Sequence, residues 1–288
     1  MLSGCDGHAI LLDGRGSELT EHCRVAATPG LVNEIYQDLL MIAADTPSTW
    51  IIYNRLVREH GLFPCIIEEA VERRILIRNR IRKLGLFAVL GQIAFVALIR
   101  PILRYQASRR IRELCHQFDL EAGQPLTPAI RYVESANSNE AISLLRAADP
   151  RIVIVNGTRI LKPDVLSSVK APFINTHQGI TPRYRGAHGA YWALHENDRD
   201  HCGVTVHLVD EGIDTGNIIG QATIDPQPAD SFVTYPFLQT AAALPILRNA
   251  IAALRSGKIE TSATSGPSAV WYHPTIWEYV RARLRGVR

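Results

Sequence analysis

The chain has 288 residues, 47% of them apolar and 20% charged, with 31 basic against 28 acidic side chains for a net charge of +3. These proportions are ordinary for a globular chain and exclude a disordered polymer, a collagen-like repeat and a disulfide scaffold; a net charge this small gives no global reason to expect nucleic acid. The five cysteines (Cys5, Cys23, Cys65, Cys115, Cys202) are odd in number and at least 18 residues apart, which fits a reducing compartment. The N-terminus lacks a basic n-region and a long apolar run, so the expected location is cytoplasmic.

Residues 1–38 are expected to form an N-terminal extension, with Gly7–Asp13 either a stray strand or part of a linker. Leu39–Ala44 is a short apolar run that stops at Asp45-Thr-Pro-Ser48, the pattern of a buried strand followed by a helix cap. Ser48–His60 has helical spacing ending at Gly61, and Phe63–Ile67 reads as a second strand, so the chain opens on a parallel βαβ unit.

Residues 71–112 break that pattern with eleven Arg or Lys and a single acid, Glu72. Leu84–Ile99, inside this stretch, carries no charge over 16 residues, short of the ~20 needed to span a bilayer. The expectation is a basic helical insertion, about 71–118, packed on the domain or a second subunit. A peripheral membrane contact through residues 71–112 is the alternative, one that the overall +3 conceals.

After Pro128 the alternation returns. Ser138 caps a helix ending at Asp149-Pro150, Arg151–Val155 is a β-branched run suited to a central parallel strand, and Pro172–His177 is a further strand. Gly203–Val209 and Ile218–Ile224 read as a hairpin, Ser231–Leu254 as a helix, and Val270–Trp277 as an aromatic tail leading into a basic helix, Glu278–Arg285. Residues 39–256 form the expected catalytic domain and 257–288 a C-terminal tail.

Asn175 and His177 lie two apart at a strand end, so their side chains share a face. In an open parallel sheet, ligands bind beyond the carboxyl ends of the strands. Glu211-Gly-Ile-Asp-Thr-Gly216 is a tight turn that can hold Asp214. An amide, an imidazole and a carboxylate without an activated hydroxyl or thiol point to group transfer in which the substrate supplies the nucleophile. The bland alternatives are satisfied strand-end hydrogen bonds and plain turn chemistry. No HExxH motif or Cys/His ligand spacing suggests a metal, and Asp13-Gly-Arg-Gly16 is not a dinucleotide fingerprint. His273 and Trp277 read as aromatic packing on the core before they read as a nucleotide pocket.

Asn156-Gly-Thr-Arg-Ile-Leu161, Ile174-Asn-Thr-His177, Pro182-Arg-Tyr-Arg-Gly186, Gly203-Val-Thr-Val-His207 and Asp210-Glu-Gly-Ile-Asp-Thr-Gly216 stand in an order and spacing that resemble the folate-dependent formyltransferases, over roughly residues 39–256. The resemblance implies a Rossmann-like α/β fold, a mostly parallel sheet flanked by helices, with 10-formyltetrahydrofolate as co-substrate and no metal. It makes Asn175, His177 and Asp214 the catalytic trio, with His177 in its protonated form steadying the oxyanion alongside Asn175. It assigns folate contacts to Arg159, Ile160 and Leu161 and to Asp210, Glu211, Gly212 and Ile213, and substrate contacts to Arg185, Gly186 and Trp192. One departure is Gly179-Ile-Thr-Pro182, where the family commonly has Ser-Leu-Leu-Pro.

Within such a family, methionyl-tRNA formyltransferases carry a C-terminal β-barrel, for which the 32 residues after Ser256 are too few. Formyltetrahydrofolate hydrolases begin with a regulatory domain that has no room before Leu39. The expected acceptor is a nucleotide-linked amino sugar for surface polysaccharide synthesis; the alternatives are glycinamide ribonucleotide or another small amine, and a non-catalytic membrane-associated paralogue. The expected partners are a small-molecule amine, no nucleic acid, and a second copy of the chain as a homodimer.

Overall fold

The computed structural model describes residues 38–288; the expected N-terminal extension, with its strand candidate, lies outside the described residues apart from Asp38. Strand β1 (Leu39–Ala44) runs into helix α1 (Pro47–His60), whose N-cap is Thr46 accepting from the Thr49 amide, with Pro47 pre-set for the first turn. Strand β2 (Cys65–Glu68) begins after Pro64, two residues later than the apolar run suggests, because proline cannot donate to the ladder.

The basic stretch is helical throughout: α2 (Arg73–Leu84), α3 (Leu86–Ala94), a π-helical turn (Phe95–Ile99), α4 (Arg100–Gln106) and α5 (Ser108–Gln117). Leu86–Gln106 is one continuous 21-residue helical rod. Strand β3 (Ile130–Val133) follows, then α6 (Asn139–Ala148), capped by Ser138 and closed by Asp149 in the left-handed region. The second half runs β4 (Ile152–Asn156), α7 (Pro163–Leu166), β5 (Phe173–His177), β6 (Arg185–Gly186), α8 (Gly189–His195), β7 (Gly203–Leu208), β8 (Ile218–Thr223), α9 (Tyr235–Arg255), β9 (Val270–Trp271) and α10 (Ile276–Leu284).

The strands form a seven-stranded sheet in the order β3-β2-β1-β4-β5-β7-β8, parallel from β3 through β5, with β7 antiparallel to β5 and to β8. Alternation along β1 divides the core between the two faces. Leu39, Met41 and Ala43 pack with Ile51 and Ile52 of α1 and Leu247 and Ile251 of α9, while Leu40 and Ile42 pack with Ala141 and Leu145 of α6 and Val165 of α7. A sheet covered on both faces requires near-continuous apolar strands, which is why β1 and β4 read so plainly in the sequence.

A third cluster is aromatic. It joins Phe95 of the insert, Tyr191 and Trp192 of α8, Phe232 and Tyr279 of α10. The tail enters here: β9 pairs with β6, and the Trp271 ring stacks on Trp192 at 4.8 Å and on Tyr184 at 5.8 Å. The aromatic packing expected of the tail is what the structure shows. It has a consequence for the site, because the segment it clamps, Tyr184–Gly186, faces the end of β5.

Candidate active site

Asn175 and His177 leave β5 on one face, at the carboxyl end of the sheet where the strand direction switches from parallel to antiparallel. The antiparallel register sets His207 of β7 directly opposite Asn175. Asp214 reaches the same point from the turn after β7, with its backbone in the left-handed region at φ 52°. That turn is fixed by Asp210, whose carboxylate accepts from the Gly212 amide at 3.0 Å and the Thr215 hydroxyl at 2.7 Å. Gly216 is required where the turn rejoins the sheet, since a Cβ there would run into the Leu208 carbonyl.

The four side chains form a connected network. Asn175 Nδ2 lies 3.1 Å from His207 Nε2 and 3.4 Å from Asp214 Oδ1. His207 Nδ1 donates to the Leu208 carbonyl at 2.7 Å, which leaves Nε2 to accept from Asn175. His177 Nε2 donates to the Tyr184 carbonyl at 2.7 Å, and its Nδ1 faces Asp214 Oδ2 at 3.3 Å. The Gly186 amide donates to the same Asp214 oxygen at 2.9 Å.

Burial alone would raise the Asp214 carboxyl. Attraction to the His177 ring in its protonated form, contact with the His207 ring and the Gly186 amide outweigh it and hold the group down to about 2, so Asp214 is a carboxylate at neutral pH. Burial pushes the His177 imidazole below its ordinary 6.5, against the opposing pull of Asp214 and the Tyr184 carbonyl. The sequence reading takes His177 as protonated; its surroundings instead make the neutral ring the resting form. With Nε2–H committed to Tyr184, that ring presents a bare Nδ1 to an ionised carboxylate. The pair is one proton short of its best geometry, which is the arrangement of a group waiting to accept a proton.

These residues border a cleft of about 400 Å³, within the usual range for small-molecule sites. Of the residues singled out from sequence, Asn175, His177, Asp214, Arg159, Ile160, Leu161, Asp210, Gly212, Ile213 and Gly186 line it. Glu211 lies in the same turn without lining the cleft, and Arg185 braces the turn from behind by donating to the Ile213 carbonyl at 3.1 Å. Trp192 does not line the cleft. It is buried under Trp271 and donates to the Tyr272 carbonyl at 2.8 Å, so it backs the Tyr184–Gly186 segment instead of facing a ligand. Trp277 is likewise outside, stacked on Phe87 of the insert.

The opposite wall is held by a residue that sequence reasoning missed. Glu68, buried at the end of β2, accepts from the Arg159 amide at 2.5 Å and the Ala136 amide at 3.1 Å, locking the 157–161 loop in place. Asn156 does the same on its other side, donating to the hydroxyls of Ser48 and Thr49. His207 was legible as part of a motif, yet only the cross-strand register makes it a neighbour of Asn175. His188, left-handed at the start of α8, also lines the cleft, with its ring 3.1 Å from that of His273. Burial pushes both rings down, His273 to about 4, so they are neutral packing groups.

Residues 112–236 match the family model described as formyl transferase. The match takes in less than half of the chain. Its matched segment holds Asn175, His177, His207, Asp214 and the 159–161 loop, whereas β1, α1 and β2 lie outside it. Among curated relatives, the chain is 35% identical over 123 residues to a methionyl-tRNA formyltransferase of Burkholderia vietnamiensis, covering 41% of this chain and 37% of that one. It is 30% identical over 115 residues to one of Pelotomaculum thermopropionicum, covering 40% and 34%. The chain thus spans little more than a third of the length of these relatives.

Among solved structures, the formyl transferase fold is shared with a sugar N-formyltransferase from a Shewanella species (13% identity, 82% of this chain and 77% of that one, TM-score 0.53). It is shared also with a 4-N formyltransferase from Francisella tularensis (11% identity, 82% and 76%, TM-score 0.51).

Proposed function

We propose that this cleft transfers a formyl group from N10-formyltetrahydrofolate to a primary amine. The observation that carries the reading is the His177–Asp214 pair: a buried neutral imidazole with a bare Nδ1 beside a carboxylate, next to the amide of Asn175. The formyl transferase match over the same residues supports it. The 159–161 loop on one wall and the 210–213 turn on the other offer peptide N–H and C=O groups suited to the polar edge of a pterin, and Glu68 and Asp210 keep both segments rigid.

In this reading the amine nitrogen bonds to the formyl carbon and the carbonyl electron pair moves onto oxygen. Asn175 has one N–H committed to His207; its contact with Asp214, at 3.4 Å, is long and leaves the other N–H for the oxyanion. The proton released by the amine passes to His177 Nδ1, where Asp214 stabilises the imidazolium at 3.3 Å. His177 then delivers that proton to folate N10 as the carbon–N10 bond breaks, leaving a formamide and tetrahydrofolate. His177 thus serves as base and then acid, and Asp214 supplies the charge that makes both steps accessible.

We assign the acceptor to the nucleotide-linked amino sugars. The fold shared with a sugar N-formyltransferase supports that choice, whereas the curated relatives are methionyl-tRNA formyltransferases. The test offers purified protein and 10-formyltetrahydrofolate a panel of nucleotide-linked amino sugars, glycinamide ribonucleotide and simple amines, and reads product mass. An amino sugar heavier by one CO is the expected result. Another formylated amine would move the acceptor and keep the chemistry, and failure to bind tetrahydrofolate would overturn the reading.

A further inference from the structure

The helical rod Leu86–Gln106 is amphipathic in the wrong sense for a water-facing helix. Between Leu86 and Ile99 the one polar side chain is Gln92, and it points inward, donating to the His273 carbonyl at 2.8 Å. The inward stripe continues through Val89 and Phe95, both buried, with Ile99 and Leu103 packed against the aromatic cluster. Gly91 lets the helix sit flush on the tail, since a Cβ there would strike the Trp277 ring. The rod is therefore fastened to the protein in one fixed orientation.

The outward face is apolar. Leu90 is 53% exposed, Leu98 58% and Ile102 53%, with Phe87, Ile93 and Val96 beside them. Soluble proteins seldom leave so continuous an apolar strip in water. The other long apolar helix, α9, packs its apolar side on the sheet.

Charge decides what covers this strip. The eleven cations and one acid of residues 71–112 give that segment a net charge of 11 − 1 = +10. Among the described residues only Arg109 and Arg110 of the eleven are ion-paired, to Glu113 and Asp230. A second copy docked through the same face would bring two such segments together against their mutual repulsion. An anionic surface with an apolar interior satisfies both features at once.

We propose that Leu86–Gln106 lies in the interface of an anionic lipid bilayer, its outward apolar strip among the acyl chains and its flanking arginines on the lipid phosphates. The geometry is that of a surface helix and not a span. The uncharged part of the rod, Leu86–Ile99, is about 21 Å long at ~1.5 Å per residue, short of a ~30 Å hydrocarbon core, and its inner stripe is already engaged. Arg100 and Arg104, at the end of the strip, border a cavity of about 280 Å³ that shares Thr46, Ser48, Gln178 and His188 with the catalytic cleft. A docked molecule therefore keeps that cleft beside the headgroups.

The test is co-sedimentation of the full chain with phosphatidylcholine vesicles with and without about 30 mol% phosphatidylglycerol. Binding at least about tenfold stronger to the anionic vesicles is expected, falling at least about tenfold in a Leu90→Glu/Leu98→Glu variant. That variant should keep the wild-type circular dichroism melt and tetrahydrofolate binding, because both side chains lie outside the core clusters. Equal partition onto neutral and anionic vesicles, or undiminished binding by a folded variant, overturns the proposal. So does a dimer on gel filtration that the variant splits while neither protein binds vesicles. Vesicle binding is read without folate or acceptor, so its failure leaves the formyl-transfer reading untouched, and the reverse holds as well.

Discussion

Replacing Asp214 with asparagine removes one negative charge and little volume. The Gly186 amide keeps an acceptor in the asparagine carbonyl, so the turn has no reason to move. What is lost is the attraction between the carboxylate and the imidazolium that forms at His177 Nδ1, 3.3 Å away. For unit charges at that separation, Coulomb's law gives about 1 kcal/mol in a medium like bulk water and about 5 kcal/mol at an effective dielectric near 20. The site is mostly buried yet open to a cleft, so the loss lies between these limits. It corresponds to a fall in rate of roughly tenfold to several thousandfold. Single-turnover formyl transfer with whichever amine of the panel is formylated measures it, alongside calorimetric titration with tetrahydrofolate. The expected Asp214→Asn variant binds tetrahydrofolate within about threefold of wild type and transfers formyl about tenfold to several thousandfold more slowly. Transfer within about threefold of wild type would refute the role given to the carboxylate.

Other consequences of the same geometry are open to simple measurements. Because burial pushes His177 below its ordinary 6.5 and the neutral ring is the working form, kcat/KM should hold steady as pH falls through 6.5 and decline only below it; an acid limb centred above 6.5 would contradict the assignment. Glu68→Gln leaves one of the Arg159 and Ala136 amides without a carboxylate oxygen, at a cost of about 1–3 kcal/mol. Weaker tetrahydrofolate binding with a smaller change in the transfer step is expected, and unchanged affinity would remove Glu68 from the site. Arg110→Ala strands the buried Asp230 carboxylate. It should destabilise the fold by about 3 kcal/mol in urea unfolding at neutral pH, the low end for a broken buried pair because Thr234 still donates to Asp230, and a change under about 1 kcal/mol would show the pair to be solvated.

The sequence was most legible where a single local rule dominates. β1 and β4 are buried on both faces and had to be unbroken apolar runs; Ser138 and Gly61 mark helix ends with the residues those positions demand. β3 went unread because it is a four-residue edge strand, Ile-Arg-Tyr-Val, whose middle two side chains face water. The helix read from Ser231 starts at Tyr235, since Ser231 and Thr234 are tied up in a hydrogen-bonded turn around Asp230. The basic insertion is built from Arg73 to Gln117 as four helical segments and a π turn, a level of detail that charge patterning does not encode.

The site divides in the same way. Asn175 and His177 share a face by strand period alone, and Asp214 stands in a turn whose glycines are spelled out in the chain. His207 and Glu68 escaped because their roles arise from strand register and from a loop 91 residues away, neither of which leaves a local mark. Trp192 was assigned to a ligand for want of knowing that β9 would lay Trp271 over it.

The most direct test of formyl transfer at this site follows the carbon itself. Protein given 10-formyltetrahydrofolate carrying ¹³C in the formyl group, with the amine panel, is followed by NMR beside an Asn175→Ala/His177→Ala variant. The account predicts that the label leaves the folate and appears as a formamide with the wild type, and stays on the folate with the variant. A label that moves equally well in the variant would contradict it, because the chemistry would then lie elsewhere on the molecule.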